Sequence, residues 1–179
     1  MRLGEETIAM QAIPLVDTFS STQAGQPMAY HSWLAAVIFA IIYQLGGIPL
    51  TVFFKGILLA LFYGSIWKVC RLAGAGARLA SLCLLIAALA GLNNWSVRPQ
   101  LFSYALFGLT LWLVYRWELG QKGWLWGLPL IMLVWVNIHG AFILGFCWWV
   151  VLWWSAVASD GRWAWPYWEW CWPPCSRLV

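Results

Sequence analysis

Asn93, Asn94, Trp95, Ser96, Val97, Arg98, Pro99 and Gln100 form a polar stretch set between two long apolar runs, residues 79–92 and 101–115. Amides, a guanidinium and a proline in that position mark a place where helices meet an aqueous compartment, because polar groups at a membrane boundary need a reason to be there. A second interruption, Trp135, Val136, Asn137, Ile138, His139 and Gly140, joins the end of run 124–136 to the start of run 141–157. The two together suggest one polar site built from several loops.

The rest of the composition says what kind of chain carries these stretches. Of 179 residues, 63% are hydrophobic and only 9% charged, whereas soluble domains carry roughly 25% charged residues. An integral membrane protein is expected. The 17 tryptophans agree with it, since indole rings gather at headgroup interfaces. The net charge of +4 is dispersed between apolar runs, a pattern that sets membrane orientation and offers no basic cluster for nucleic acid. Cys70, Cys83 and Cys147 stand in apolar stretches, where the role expected of them is that of small hydrophobes, and Cys171 and Cys175 lie close together without the further ligands a metal site needs.

Residues 1–32 read as an extramembrane segment, weakly helical over 3–12 and then a loop with Pro14, Asp17, Gly25 and Pro27. Glu5, Glu6 and Asp17 leave it without the continuous apolar core of a signal peptide. A membrane domain follows over residues 33–157, with apolar runs at 33–45, 48–67, 79–92, 101–115, 124–136 and 141–157. Residues 158–179 form a tail crowded with tryptophans and prolines, a composition unlike a spanning helix, for which an interfacial aromatic tail, an altered reading frame and a truncated end are the alternatives.

Charge orders the runs. Lys68, Arg71 and Arg78 lie between the second and third, Arg116 and Lys122 between the fourth and fifth, and Arg162 after the sixth. Alternate loops therefore share the positive charge and are expected to be cytoplasmic. The loops of Arg98 and His139 then face the other side. The 1–32 segment reaches that side only if run 33–45, which ends at Gly46 and Gly47, lies in the outer interface instead of crossing. The expected fold is all-α: a polytopic membrane bundle of about five spanning helices plus one interfacial juxtamembrane helix.

On this topology Asp17, His31, Asn93, Asn94, Arg98, Gln100, Asn137 and His139 all face the extracytoplasmic compartment. Each has a plain structural role beside a functional one. Arg98 can anchor a helix end or grip a phosphate in bidentate fashion, with the neighbouring amides and Gln100 as donors. His139 and Asn137 can satisfy a tight helix end or line a pocket. Lys55, roughly 10 Å into its run at 1.5 Å per residue, either snorkels to the headgroups or meets a lipid phosphate. Asp17 can shape a turn or, within reach of a hydroxyl, act as a general base.

The order of motifs resembles the GT-C superfamily of multi-pass glycosyltransferases, in particular large bacterial membrane proteins of unassigned specificity. The residues that carry the likeness are Ile13, Pro14, Asp17, Thr18, Phe19 and Ser20; Gly25, Gln26, Pro27, His31, Ser32, Trp33 and Leu34; Arg98, Pro99, Gln100, Phe102 and Ser103; and Trp135, Asn137, His139 and Gly140. They extend over about residues 3–157. The resemblance implies a sugar donor linked to polyprenyl phosphate, an extracytoplasmic acceptor, an inverting displacement and a location in the bacterial plasma membrane. It also implies that the first extracytoplasmic loop carries the base, for which Asp17 is the residue present. Arg98 and Lys55 become the phosphate binders, and His31, Asn94, Gln100, Asn137 and His139 the pocket lining. In similar proteins an acidic motif and a first spanning helix precede the position of Leu3, so the chain is expected to be part of a longer enzyme. From a different class, a carrier or flippase segment would bind a lipid-linked or small polar substrate without chemistry, with polar or broken-helix positions near mid-bilayer.

Overall fold

The computed structural model describes residues 2–17, 21–22, 24–27, 30–121 and 126–159, the last helix being described at 152, 153 and 155–159 by backbone alone. Thr18, Phe19 and Ser20 of the resemblance, Lys122, Cys171, Cys175 and all of the tail from residue 160 lie outside the described residues. Among the described residues six α-helices follow one another: α1 (Arg2–Met10), α2 (Trp33–Leu72), α3 (Ala77–Ala90), α4 (Gln100–Glu118), α5 (Gly127–Ile138) and α6 (Phe142–Ser159), with a 3-10 turn at Leu92–Asn94. The described residues hold no strand, only an isolated bridge between Val16 and Pro27. The all-α expectation therefore stands.

The apolar runs become helices with their ends close to where the polar stretches put them. The first two runs merge into α2, yet the backbone at Gly46 (φ −154°, ψ 17°) and Gly47 (φ 61°, ψ −152°) is not helical. Only glycine enters the second of these regions readily. Phe39 and Phe54 lie on either side of the break with ring centroids 6.3 Å apart. A straight helix would separate those positions by about 22 Å. The chain thus turns back at the glycine pair, and residues 33–45 fold onto the start of residues 48–72. The buried Gly4 and Thr7 of α1 belong to the face that approaches α2, where a Cβ on Gly4 would collide with the Ala36 carbonyl.

Contacts advance in step along α2 and α4: Phe54 meets Phe102, Phe62 meets Tyr104, and Lys68 lies over Trp112. Residues 48–72 and α4 therefore run parallel. They approach closely at Gly108, where a Cβ would stand 3.1 Å from the Phe62 carbonyl oxygen. Helix α3 returns antiparallel, with Trp67 donating to Ser81 Oγ at 3.2 Å near one end and Tyr63 close to Gly91 at the other. Helix α5 runs back along α4, from Gly127 beside Leu113 to Trp135 beside Ser103. A core of Ala35, Phe39, Leu58, Leu59, Leu101, Phe102, Ala105 and Ile138 closes one end of the bundle.

Among the described residues one helix, α2, is long and apolar enough to cross a membrane. Helix α3 has 14 residues and α5 has 12, about 21 and 18 Å at 1.5 Å per residue, short of a hydrocarbon core near 30 Å. By this measure one span qualifies where the runs led to an expectation of five. The surface is nonetheless apolar: Leu79, Leu82, Leu85, Ile86 and Leu89 of α3 and Leu130, Leu133 and Val134 of α5 are exposed.

The chain divides into two compact units, residues 1–145 and 146–179. The described part of the second is the remainder of α6, in which the Phe146 and Trp149 rings lie 6.2 Å apart.

Candidate functional site

The polar stretch around Arg98 is a turn between antiparallel helices. Gly91 ends α3, its N–H bonding to Ala87 and Ala88 carbonyls, and the Asn94 and Trp95 amides bond back to Gly91 and Leu92. The carbonyls of Arg98 and Pro99 then accept the Leu101 and Phe102 N–H groups and start α4. Pro99 suits that position because it has no N–H to leave unpaired in the first turn. Asn94, Arg98 and Gln100 are all exposed, gathered where the partial positive charge of the α4 N-terminus favours an anion.

Beneath this turn lies a cleft of about 210 Å³ lined by Leu59, Phe62, Tyr63, Asn94, Trp95 and Tyr104, with Gly91 at its edge. Its wall is aromatic: Phe62 and Tyr63 are 4.9 Å apart between centroids, Phe62 and Tyr104 5.6 Å, and Tyr63 and Trp95 6.2 Å. Ring faces of this kind stack on the C–H face of a sugar or on an isoprene unit, while phenol, indole N–H and amide groups can bond to hydroxyls.

On the adjoining face of α4 a buried polar chain joins three elements. The Trp135 indole N–H, on a residue with no exposed surface, donates to Ser103 Oγ at 2.9 Å. The Ser103 hydroxyl pairs with His139 Nδ1 at 3.1 Å, and the same nitrogen accepts the Ala141 N–H at 3.2 Å. A ring nitrogen that accepts a backbone N–H carries no proton of its own, so Ser103 donates to it and the neutral imidazole holds its proton on Nε2. His139 also accepts the Phe142 N–H on its carbonyl. It therefore links the end of α5 to the start of α6 while keeping Nε2–H as a donor.

The remaining predicted site residues occupy other surroundings. Asn137 donates to the Leu133 carbonyl of its own helix at 2.9 Å, the helix-end role open to it. Lys55 is half-buried on α2 one turn before Leu59. His31 is exposed in the turn before α2. Asp17 is half-buried in a loop pinned by its own backbone, its N–H donating to the Gln26 carbonyl at 3.0 Å and its carbonyl accepting from Gly25 at 2.9 Å. Among the described residues, neither the cleft lining nor the Ser103 chain includes Asp17, His31, Lys55 or Arg98.

Ser103, Tyr63, Trp95 and Tyr104 were not among the predicted site residues. A serine inside an apolar run ordinarily bonds back to its own helix, as Thr51 and Thr110 do here. The signal that distinguishes Ser103 is Trp135 placed four residues before His139, an indole in the last turn of α5 and an imidazole just past its end. The described residues contain no group of histidine, cysteine, aspartate and glutamate able to hold a metal ion. No protein-family model, curated protein or solved structure matches the chain.

Proposed function

We propose that this chain is the donor-binding part of a multi-pass membrane glycosyltransferase of GT-C type, embedded in a bacterial plasma membrane with its polar end extracytoplasmic. The observation that carries the proposal is the aromatic cleft with Asn94 on its rim, set at the end of α4 where Arg98 and Gln100 are exposed. Such a cleft offers stacking surface to a sugar or prenyl group, and the exposed Arg98 of the neighbouring turn carries a guanidinium fork suited to the linking phosphate. The exposed leucines of α3 and α5 supply the apolar surface that lipid would cover. Flanking Arg78, Trp95, Arg116 and Trp117 let α3 and α4 reach the interfaces despite their length.

In the reaction the Asp17 carboxylate takes the proton of an acceptor hydroxyl, whose oxygen bonds to the anomeric carbon. The bond from that carbon to the donor phosphate breaks, its electron pair leaving with the phosphate. Arg98 and Lys55 offset the charge that develops there. Of the residues expected to line the path of the sugar, Asn94 lies in the cleft and Gln100 is exposed on the adjoining start of α4.

Arg98→Ala removes a charge-assisted contact worth about 1.5–3 kcal/mol, so affinity for a polyprenyl-phosphate sugar should fall roughly 10- to 100-fold. Titration of the protein in nanodiscs measures it, and unchanged affinity would take Arg98 out of the site. The carrier reading draws on the glycine break in α2, since transporters bind substrates at discontinuous helices. It is favoured if the complete protein moves donor across a bilayer and transfers no sugar.

A further inference from the structure

At the other end of α2 and α4, roughly 28 Å from the Arg98 turn by the length of α4, lies a second concave site of about 270 Å³. Trp67, Lys68, Arg71, Trp112, Arg116 and Gln121 line it together with Leu72. We propose that this groove binds the phosphate-bearing headgroup of an anionic membrane lipid, a function separate from donor binding.

Three cations converge on two indoles here. Lys68 Nζ stands 4.8 Å from the centre of the Trp112 ring, the Arg116 guanidinium 5.0 Å from the same ring, and the Arg71 guanidinium 5.8 Å from the Trp67 ring. Among the described residues the lining contains no carboxylate. Lys68 and Arg71, three residues apart on one helix, are like charges that repel, and an anion placed between them turns the repulsion into attraction. Both guanidinia are held in place by short bonds: Arg71 donates to the Ala75 carbonyl at 2.7 Å and Arg116 Nε to Gln121 Oε1 at 2.7 Å. Arg71 spends one of its five N–H groups in that bond, which leaves it able to grip a phosphate.

A lipid is favoured over free phosphate by what adjoins the cations. Leu72 and Trp67 of the lining are exposed, as are Leu79 and Leu82 on α3. An amphiphile could therefore lay acyl chains on these side chains with its phosphate in the groove. Tryptophan and basic side chains at the ends of apolar helices are the usual fittings of the headgroup layer, and basic residues on the cytoplasmic side recognise acidic headgroups.

Native mass spectrometry of the full chain in detergent, with phosphatidylglycerol, phosphatidylcholine or inorganic phosphate added, tests the proposal. Phosphatidylglycerol should be retained preferentially, and the double variant Lys68→Gln/Arg71→Gln should weaken its retention by about fivefold or more. Lys68→Arg, which keeps the charge, should retain it, as should Arg78→Gln, which removes an exposed charge at the same end outside the groove. Helical circular dichroism equal to that of the unaltered protein qualifies each variant. Equal retention of phosphatidylcholine, equal loss in Arg78→Gln, or displacement of the lipid by millimolar phosphate would each overturn it. Donor affinity measured on the Lys68→Gln/Arg71→Gln variant stays at the unaltered value, so the two sites fail or stand independently.

Discussion

Trp135, Ser103 and His139 concentrate more consequence in three side chains than any other residues of the bundle. The indole N–H has no exposure to water, so Ser103 is the acceptor that keeps it satisfied. Ser103→Ala leaves that donor buried without a partner and deprives His139 Nδ1 of its hydroxyl. The expected cost is about 1–2 kcal/mol, read as a lower thermal midpoint in detergent. Thr110→Val is the control. Its hydroxyl bonds only to the Leu106 carbonyl of its own helix, a group whose backbone partner remains, so the loss should be smaller. Equal losses would mean that the interhelical chain contributes nothing special. At this scale the sequence was informative about polar residues in loops and silent about those in helices. Asn94, Arg98, Gln100 and His139 stood out because apolar runs flank them. Ser103 did not, because its role depends on a residue 32 positions away.

The helices themselves were legible because glycine and polar clusters interrupt a strongly apolar chain. Gly46 and Gly47 marked the end of run 33–45, and the break in α2 falls on that pair. What could not be read was the pairing: that residues 48–72 run parallel to α4 follows from ring contacts such as Phe54 with Phe102, which connect positions with no local pattern. The break also makes a prediction. Gly47 sits at φ 61° and ψ −152°, a region that costs a side chain about 1–3 kcal/mol. Gly47→Ala should lower the thermal midpoint accordingly and favour a continuous helix, pulling Phe39 away from Phe54 and Phe102. Gly56→Ala, in open space on the same helix, should be neutral or slightly stabilising. Equal behaviour of the two variants would show that the turn does not depend on glycine.

For the whole molecule, sidedness decides the account. One end holds the Arg98 turn, the aromatic cleft and the Ser103 chain, and the other holds the basic groove, with apolar helix faces exposed between them. Composition alone pointed to a membrane. The proposed orientation rests on alternating charge, and among the described residues one helix has the necessary length. Placing Asp17 with Arg98 in one compartment is the proposed arrangement, and it requires residues 33–45 not to cross. Cysteine labelling with a membrane-impermeant reagent, in a background without the native cysteines, measures this directly. Arg98→Cys and Asp17→Cys should both react in intact cells, and Gln121→Cys only after the membrane is opened. Labelling of position 98 from outside together with protection of position 17, or reaction of 98 and 121 from the same side, would contradict the account.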